Sequence, residues 1–101
     1  MNPRKPKPTP PKFPRRFWGS NGDILTIPFY KLLPTSRAYK LKEICQKHGI
    51  PLHEVKDRRT KEAYIERLRQ EFFARIKAKE ALEAYRVRLA KWVEENGDTL
   101  V

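Results

Sequence analysis

Four cations, Lys56, Arg58, Arg59 and Lys61, stand within six consecutive positions around Thr60, just ahead of a strongly helix-forming run. Side chains of this type can neutralise phosphates. The first turn of a helix beginning there offers unpaired backbone N–H groups to the same anion. Basic residues at the positive end of a helix dipole oppose it, which favours a bound anion over a merely solvated surface. Contacts of this kind fix a protein on nucleic acid and read little sequence. The candidate binding residues are therefore Lys56, Arg58, Arg59, Thr60 and Lys61, joined by Arg15 and Arg16 from a basic N-terminal arm. The plain alternative is a solvated helix start.

Other chemistries find less support. Cys45-x-x-His48, with His53 nearby, has the residue types of a zinc site. A structural zinc needs four ligands, usually as two Cys/His pairs, and helical spacing turns Cys45 toward the core. Cys45 is read as a small core residue and His48 as a helix-end residue beside the last carbonyls; no metal and no cofactor are expected. No Gly-rich phosphate loop occurs. Acids such as Glu62, Glu66, Glu80 and Glu83 are interspersed with Lys and Arg. A catalytic carboxylate pair needs burial to shift its pKa, and no acid is expected on an apolar stripe. A non-enzymatic protein is expected.

The elements that must position the basic cluster are helical. In LKEICQKHGI, residues 41–50, the side chains of Leu41, Ile44, Cys45 and His48 recur at helical steps of three and four. Gly49 can close the helix at positive φ, Ile50 can return to the core, and Pro51 prevents continuation. Thr35 or Ser36 offers an N-cap for this helix. A short helical turn fits residues 52–55, and Asp57 or Thr60 can cap the next helix. From there to Asn96 no Gly or Pro interrupts a run rich in Ala, Glu, Lys, Arg and Leu. Two apolar stripes lie along it, Ile65/Leu68/Phe72/Ile76 and Ala78/Leu82/Tyr85/Leu89/Trp92, and they differ in phase. A straight helix packed on one surface cannot bury both. A break near residues 77–79, a folded-back hairpin, or a change of packing partner is expected, with the second stripe as a candidate homodimer or protein-partner surface.

Residues 1–16 hold six prolines, six basic residues and no acid. They are read as a disordered, polyproline-like arm. Residues 17–34 are apolar, with Asn21-Gly22 as a turn signal, and are read as a strap over the helices anchored by Trp18, Phe29 and Leu32. Trp18 beside Arg15 and Arg16 could also stack on bases, though core packing is the favoured reading.

The whole chain of 101 residues carries a net charge of +11. Residues 1–34 have seven Lys/Arg against one acid, residues 35–68 nine against five, and residues 69–101 seven against six. Solubility needs no such asymmetry, which points to a polyanion met by the first two thirds. One cysteine leaves no intrachain disulfide. No run approaches the roughly 18 apolar residues of a membrane helix. The basic N-terminus lacks a signal-peptide apolar core, and its prolines forbid an amphipathic presequence, so a cytoplasmic protein is expected.

Residues 35–68 resemble the SAP domain, a small helix-turn-helix module. LKEICQKHGI matches its first helix and turn, Ile65-Glu66-Arg67-Leu68 the end of its second helix, and Lys61 its usual basic residue. The run KDRRTKEAYI, residues 56–65, is similar to a variant found in small bacterial, notably cyanobacterial, proteins. The connector from Gly49 to Lys61 is longer than is usual and lacks the family's glycine before the lysine. The resemblance implies duplex DNA binding through the start of the second helix. It also implies a bias to AT-rich sites read through minor-groove width, with an Arg of the arm inserted.

The expected fold is mainly α: a disordered arm (residues 1–16), an apolar strap (17–34), a SAP-like helix pair (35–68) and a C-terminal helix or helical hairpin (69–101). The expected partner is DNA, with RNA as the alternative polyanion, and a bacterial protein of this kind would sit on the nucleoid. The rival reading is a helical adaptor that docks through its C-terminal helix.

Overall fold

Two α-helices carry the fold, α1 (Ala38–Lys47) and α2 (Lys61–Asn96), as seen in a computed structural model that describes residues 6–28 and 37–96. Short 3-10 turns at Arg15–Phe17 and Leu52–Glu54 precede them in turn. Among the described residues the only β pairing is one antiparallel bridge, Trp18 to Ile24. The predicted caps Thr35 and Ser36, and the anchors Phe29 and Leu32, lie outside the described residues.

The end of α1 follows from its sequence. Gly49 takes φ +72°, its N–H donates to Gln46 O at 3.1 Å, and the Ile50 N–H donates to Cys45 O at 2.9 Å. This is the paired hydrogen-bond pattern of a Schellman cap, which satisfies carbonyls that the helix leaves open. Ile50 returns to the interior at 3 % exposure. There it joins Ile27, Leu41, Cys45, Val55, Tyr64 and Leu68, with Ile44 and Ile65 packed alongside. Cys45 is a core residue, as its spacing predicts, and burial pushes its thiol pKa up.

The strap forms a one-bridge hairpin. Gly22 sits at φ +82° in the turn, and the Leu25 N–H donates to Phe17 O at 2.7 Å. Phe17 and Ile24 pack with Ala78 and Leu82 in a second apolar cluster, against which Phe13, Trp18 and Tyr85 lean. Trp18 is therefore a packing residue. Phe13 lies 6.2 Å from the Phe17 ring and 5.9 Å from that of Trp18. The last residues of the predicted arm, 13–16, thus belong to the fold, because Phe13 supplies an apolar anchor that proline and lysine cannot.

α2 is one uninterrupted helix of 36 residues, so of the alternatives expected near residues 77–79 neither the break nor the hairpin occurs and the change of packing partner remains. The helix also runs across the predicted boundary at residues 68 and 69. Its buried residues, Tyr64, Arg67, Leu68, Glu71, Arg75, Ala78 and Leu82, form one continuous face. The phase shift between apolar stripes arises because Arg67, Glu71 and Arg75 fill interior positions. What changes along this face is the packing partner, from α1 to the strap. Leu82 and Tyr85, predicted for a dimer surface, pack on the strap of the same chain.

Candidate nucleic-acid interface

The start of α2 is built around Asp57 and Thr60. Asp57 Oδ1 accepts from the Arg59 N–H at 3.0 Å, and Asp57 O accepts from the Thr60 N–H at 3.3 Å. Thr60 takes the N-cap position, its Oγ1 accepting from the Ala63 N–H at a long 3.4 Å. Behind the turn the buried Tyr64 hydroxyl donates to Arg58 O at 2.9 Å. These bonds fix the backbone of residues 57–60 and leave the basic side chains outside. Lys56, Arg58, Arg59 and Lys61 are all exposed.

Among the described residues, Arg59 alone of these four has an ion pair, 3.6 Å from Asp57. With the Arg59 side chain 94 % exposed, water screens that contact and leaves the guanidinium open to an anion. Arg58 turns toward α1, where it lines an open cleft with Ala38, Tyr39, Lys42 and Tyr64. Lys56 lies elsewhere, beside Glu54, Ala63, Glu66 and Arg67.

The arm residues divide. Arg15 is exposed on its 3-10 turn. Arg16 faces inward, its Nε donating to Glu71 Oε2 at 2.8 Å and its Nη2 to Oε1 at 3.0 Å. This corrects the expectation that Arg16 offers its charge to nucleic acid, since a two-pronged carboxylate contact leaves little of the guanidinium for a phosphate. Glu71 is ten residues beyond Lys61, about 15 Å along the helix axis. Arg16 is thus held well away from the start of α2.

Glu71 is the centre of a buried charge network that corrects the expectation of no acid on a buried stripe. Arg67 Nη2 and Arg75 Nε donate to it at 3.0 Å each, adding to the two bonds from Arg16. Arg67 also donates to Glu54 through Nε and Nη2. Arg75 reaches the backbone on both sides, with Nη1 donating to Leu25 O at 3.2 Å and Nη2 to His48 O at 2.7 Å. The Arg16 and Arg75 guanidinium carbons each lie 5.2 Å from the Phe17 ring centre. Among the described residues no buried side-chain nitrogen or oxygen lacks a partner.

Burial alone would raise the Glu71 pKa, but hydrogen bonds from Arg16, Arg75 and Arg67 override it and hold the carboxyl at about 2. The same contact with Glu71 raises the pKa of Arg16. A carboxylate so low in pKa, with both oxygens already accepting, is a poor general base. Its role is to join strap, α1 end and α2. The signal was present in the sequence, since Arg67, Glu71 and Arg75 are spaced by four and so share one helical face.

His48 caps the end of α1, where burial lowers its pKa, helped by the charges of Arg75 and Lys47. Among the described residues no group of three or more His, Cys, Asp or Glu is placed to hold a metal ion. Nor is any helix among them long and apolar enough to cross a membrane.

Fold and site together define a small, mainly helical protein with a fixed, basic helix start and an internal arginine–glutamate network. No protein-family model matches the chain, no curated protein matches it, and no solved structure matches it.

Proposed function

We propose that this protein is a non-enzymatic nucleic-acid-binding protein that engages duplex DNA through phosphate contacts at the start of α2. The observation that carries this reading is the exposure of Lys56, Arg58, Arg59 and Lys61 around a turn whose backbone is fixed by Asp57, Thr60 and Tyr64. A fixed turn presents charge without the ordering cost that a flexible tail would incur. Arg15 adds exposed charge from the end of the arm, while Lys56 reaches the same ligand only from the side of Glu54 and Glu66. The SAP-like reading is supported by the α1–connector–α2 order and by the glycine-closed end of α1. In a cell such a protein belongs in the cytoplasm, on the nucleoid of a bacterium.

The test compares two charge-matched variants on one duplex. Arg58→Ala/Arg59→Ala/Lys61→Ala should weaken binding strongly. Lys77→Ala/Lys79→Ala/Lys91→Ala, which removes the same charge from exposed positions further along α2, should weaken it only slightly. Equal losses would mean that net charge alone attracts DNA and that the start of α2 is no interface.

A second reading, the helical adaptor, rests on the far half of α2. There Val87 is 64 % exposed, beside a groove of about 430 Å³ lined by Ile24, Leu82, Val87 and Ala90. Loss of a partner protein on Val87→Glu, with DNA binding unchanged, would favour it.

A further inference from the structure

The cleft between α1 and the start of α2 has a chemistry that duplex phosphates do not use. It encloses about 440 Å³ and is lined by Ala38, Tyr39, Lys42, Arg58 and Tyr64. Its two tyrosines differ sharply. Tyr64 is 2 % exposed and its hydroxyl is tied to Arg58 O, so it is fixed structure. Tyr39 is 57 % exposed on the first turn of α1, away from the helical face that carries Leu41 and Cys45 into the core. Lys42 is one helical turn beyond Tyr39, and Arg58 approaches from the other element. Among the described residues neither Lys42 nor Arg58 has a carboxylate partner, whereas the internal arginines are fully paired.

An exposed tyrosine that lines one cleft with two cations, neither holding a carboxylate among the described residues, suits a flat π-system that carries negative charge. An unpaired nucleotide is such a ligand, with its base stacked on the aromatic ring and the flanking phosphates on the cations. The volume lies near the small end of binding clefts, about 300–1,000 Å³, which suits one nucleotide. Bases inside an intact duplex are already stacked, and extracting one is costly. We propose that this cleft takes one unpaired nucleotide next to a duplex, so that the preferred ligand is a duplex end with a single-stranded overhang. The inference rests on the nucleic-acid reading above and adds the class of site that the protein selects.

The experiment measures binding of the full chain to a DNA hairpin closed by a non-nucleotide linker and ending blunt, and to the same hairpin with a three-thymidine overhang. The overhang should raise affinity about fivefold or more, the lower end of what one aromatic stack supplies. Tyr39→Phe should keep that gain. Tyr39→Ala and Tyr39→Leu, the second retaining bulk without a π-face, should lose it while binding the blunt hairpin as wild type does. Circular dichroism checks that α1 persists, and if it is lost in Tyr39→Ala the Leu variant decides. Equal affinity for the two hairpins, or a gain that survives in Tyr39→Leu, would overturn the cleft assignment and leave duplex binding standing. Failure to bind even the blunt hairpin at low salt would overturn the nucleic-acid reading, and this inference with it.

Discussion

Three arginines donate to the two oxygens of Glu71, so the effect of losing its charge follows directly. Glu71→Gln keeps the shape but leaves Arg16 and Arg75 without an anion and Arg67 with Glu54 alone, a loss of roughly 3–5 kcal/mol for a broken buried pair. Urea denaturation at neutral pH checks this. The pH dependence has a definite sign. The Glu71 pKa falls from 4.5 to about 2 in the folded protein, so its contribution is fully present above pH 4.5 and is lost as pH falls through about 2. Wild-type stability should decline across that window, and the Gln variant should decline less steeply. Parallel curves would show that other carboxylates dominate acid unfolding.

Among the elements, the closing turn of α1 makes the sharpest prediction. Gly49 needs positive φ, and a Cβ there would come within 3.1 Å of Arg16 Cβ. Gly49→Ala therefore strains the backbone and displaces the arm, and it should cost more than about 1 kcal/mol. Thermal melting decides, and an unchanged midpoint would mean that the turn tolerates another conformation. This element was legible in the sequence because each local signal agreed: apolar period, glycine, returning isoleucine, proline. The Asn21-Gly22 turn was legible from that dipeptide alone, whereas the bridge across it was not. The face of α2 was not, because an apolar-stripe reading skips Glu71 and Arg75 and so places the buried surface in two phases. Arg16 was misassigned through the same gap. Counted as one more basic residue of an arm, it is one half of an ion pair whose other half lies 55 residues later. The basic turn at residues 56–61 was legible from its charge density together with the SAP resemblance, but Tyr39 and Lys42, which line a cleft with Arg58, come from another helix, and no local pattern joins them to it.

At the scale of the whole molecule the shape is elongated, 63 × 22 × 18 Å, with α2 as its axis. The two apolar clusters and the charge network between them bind the strap and α1 along that axis, and the basic turn lies where α2 begins. Charge placement follows the same axis: residues 35–68 carry nine Lys/Arg against five acids, while residues 69–101 are nearly balanced. The proposed contact between the start of α2 and DNA is made through phosphates, so its strength must depend on salt. The most direct test is the affinity for a blunt duplex as a function of salt, for wild type and for Arg58→Ala/Arg59→Ala/Lys61→Ala. Each neutralised phosphate releases counterions, so log K should fall against log salt with a slope of about −3 to −4 for a contact made chiefly by Lys56, Arg58, Arg59 and Lys61. The triple variant should flatten that slope by about 2–3. A wild-type slope near zero, or a variant slope equal to that of wild type, would rule out phosphate binding at the start of α2.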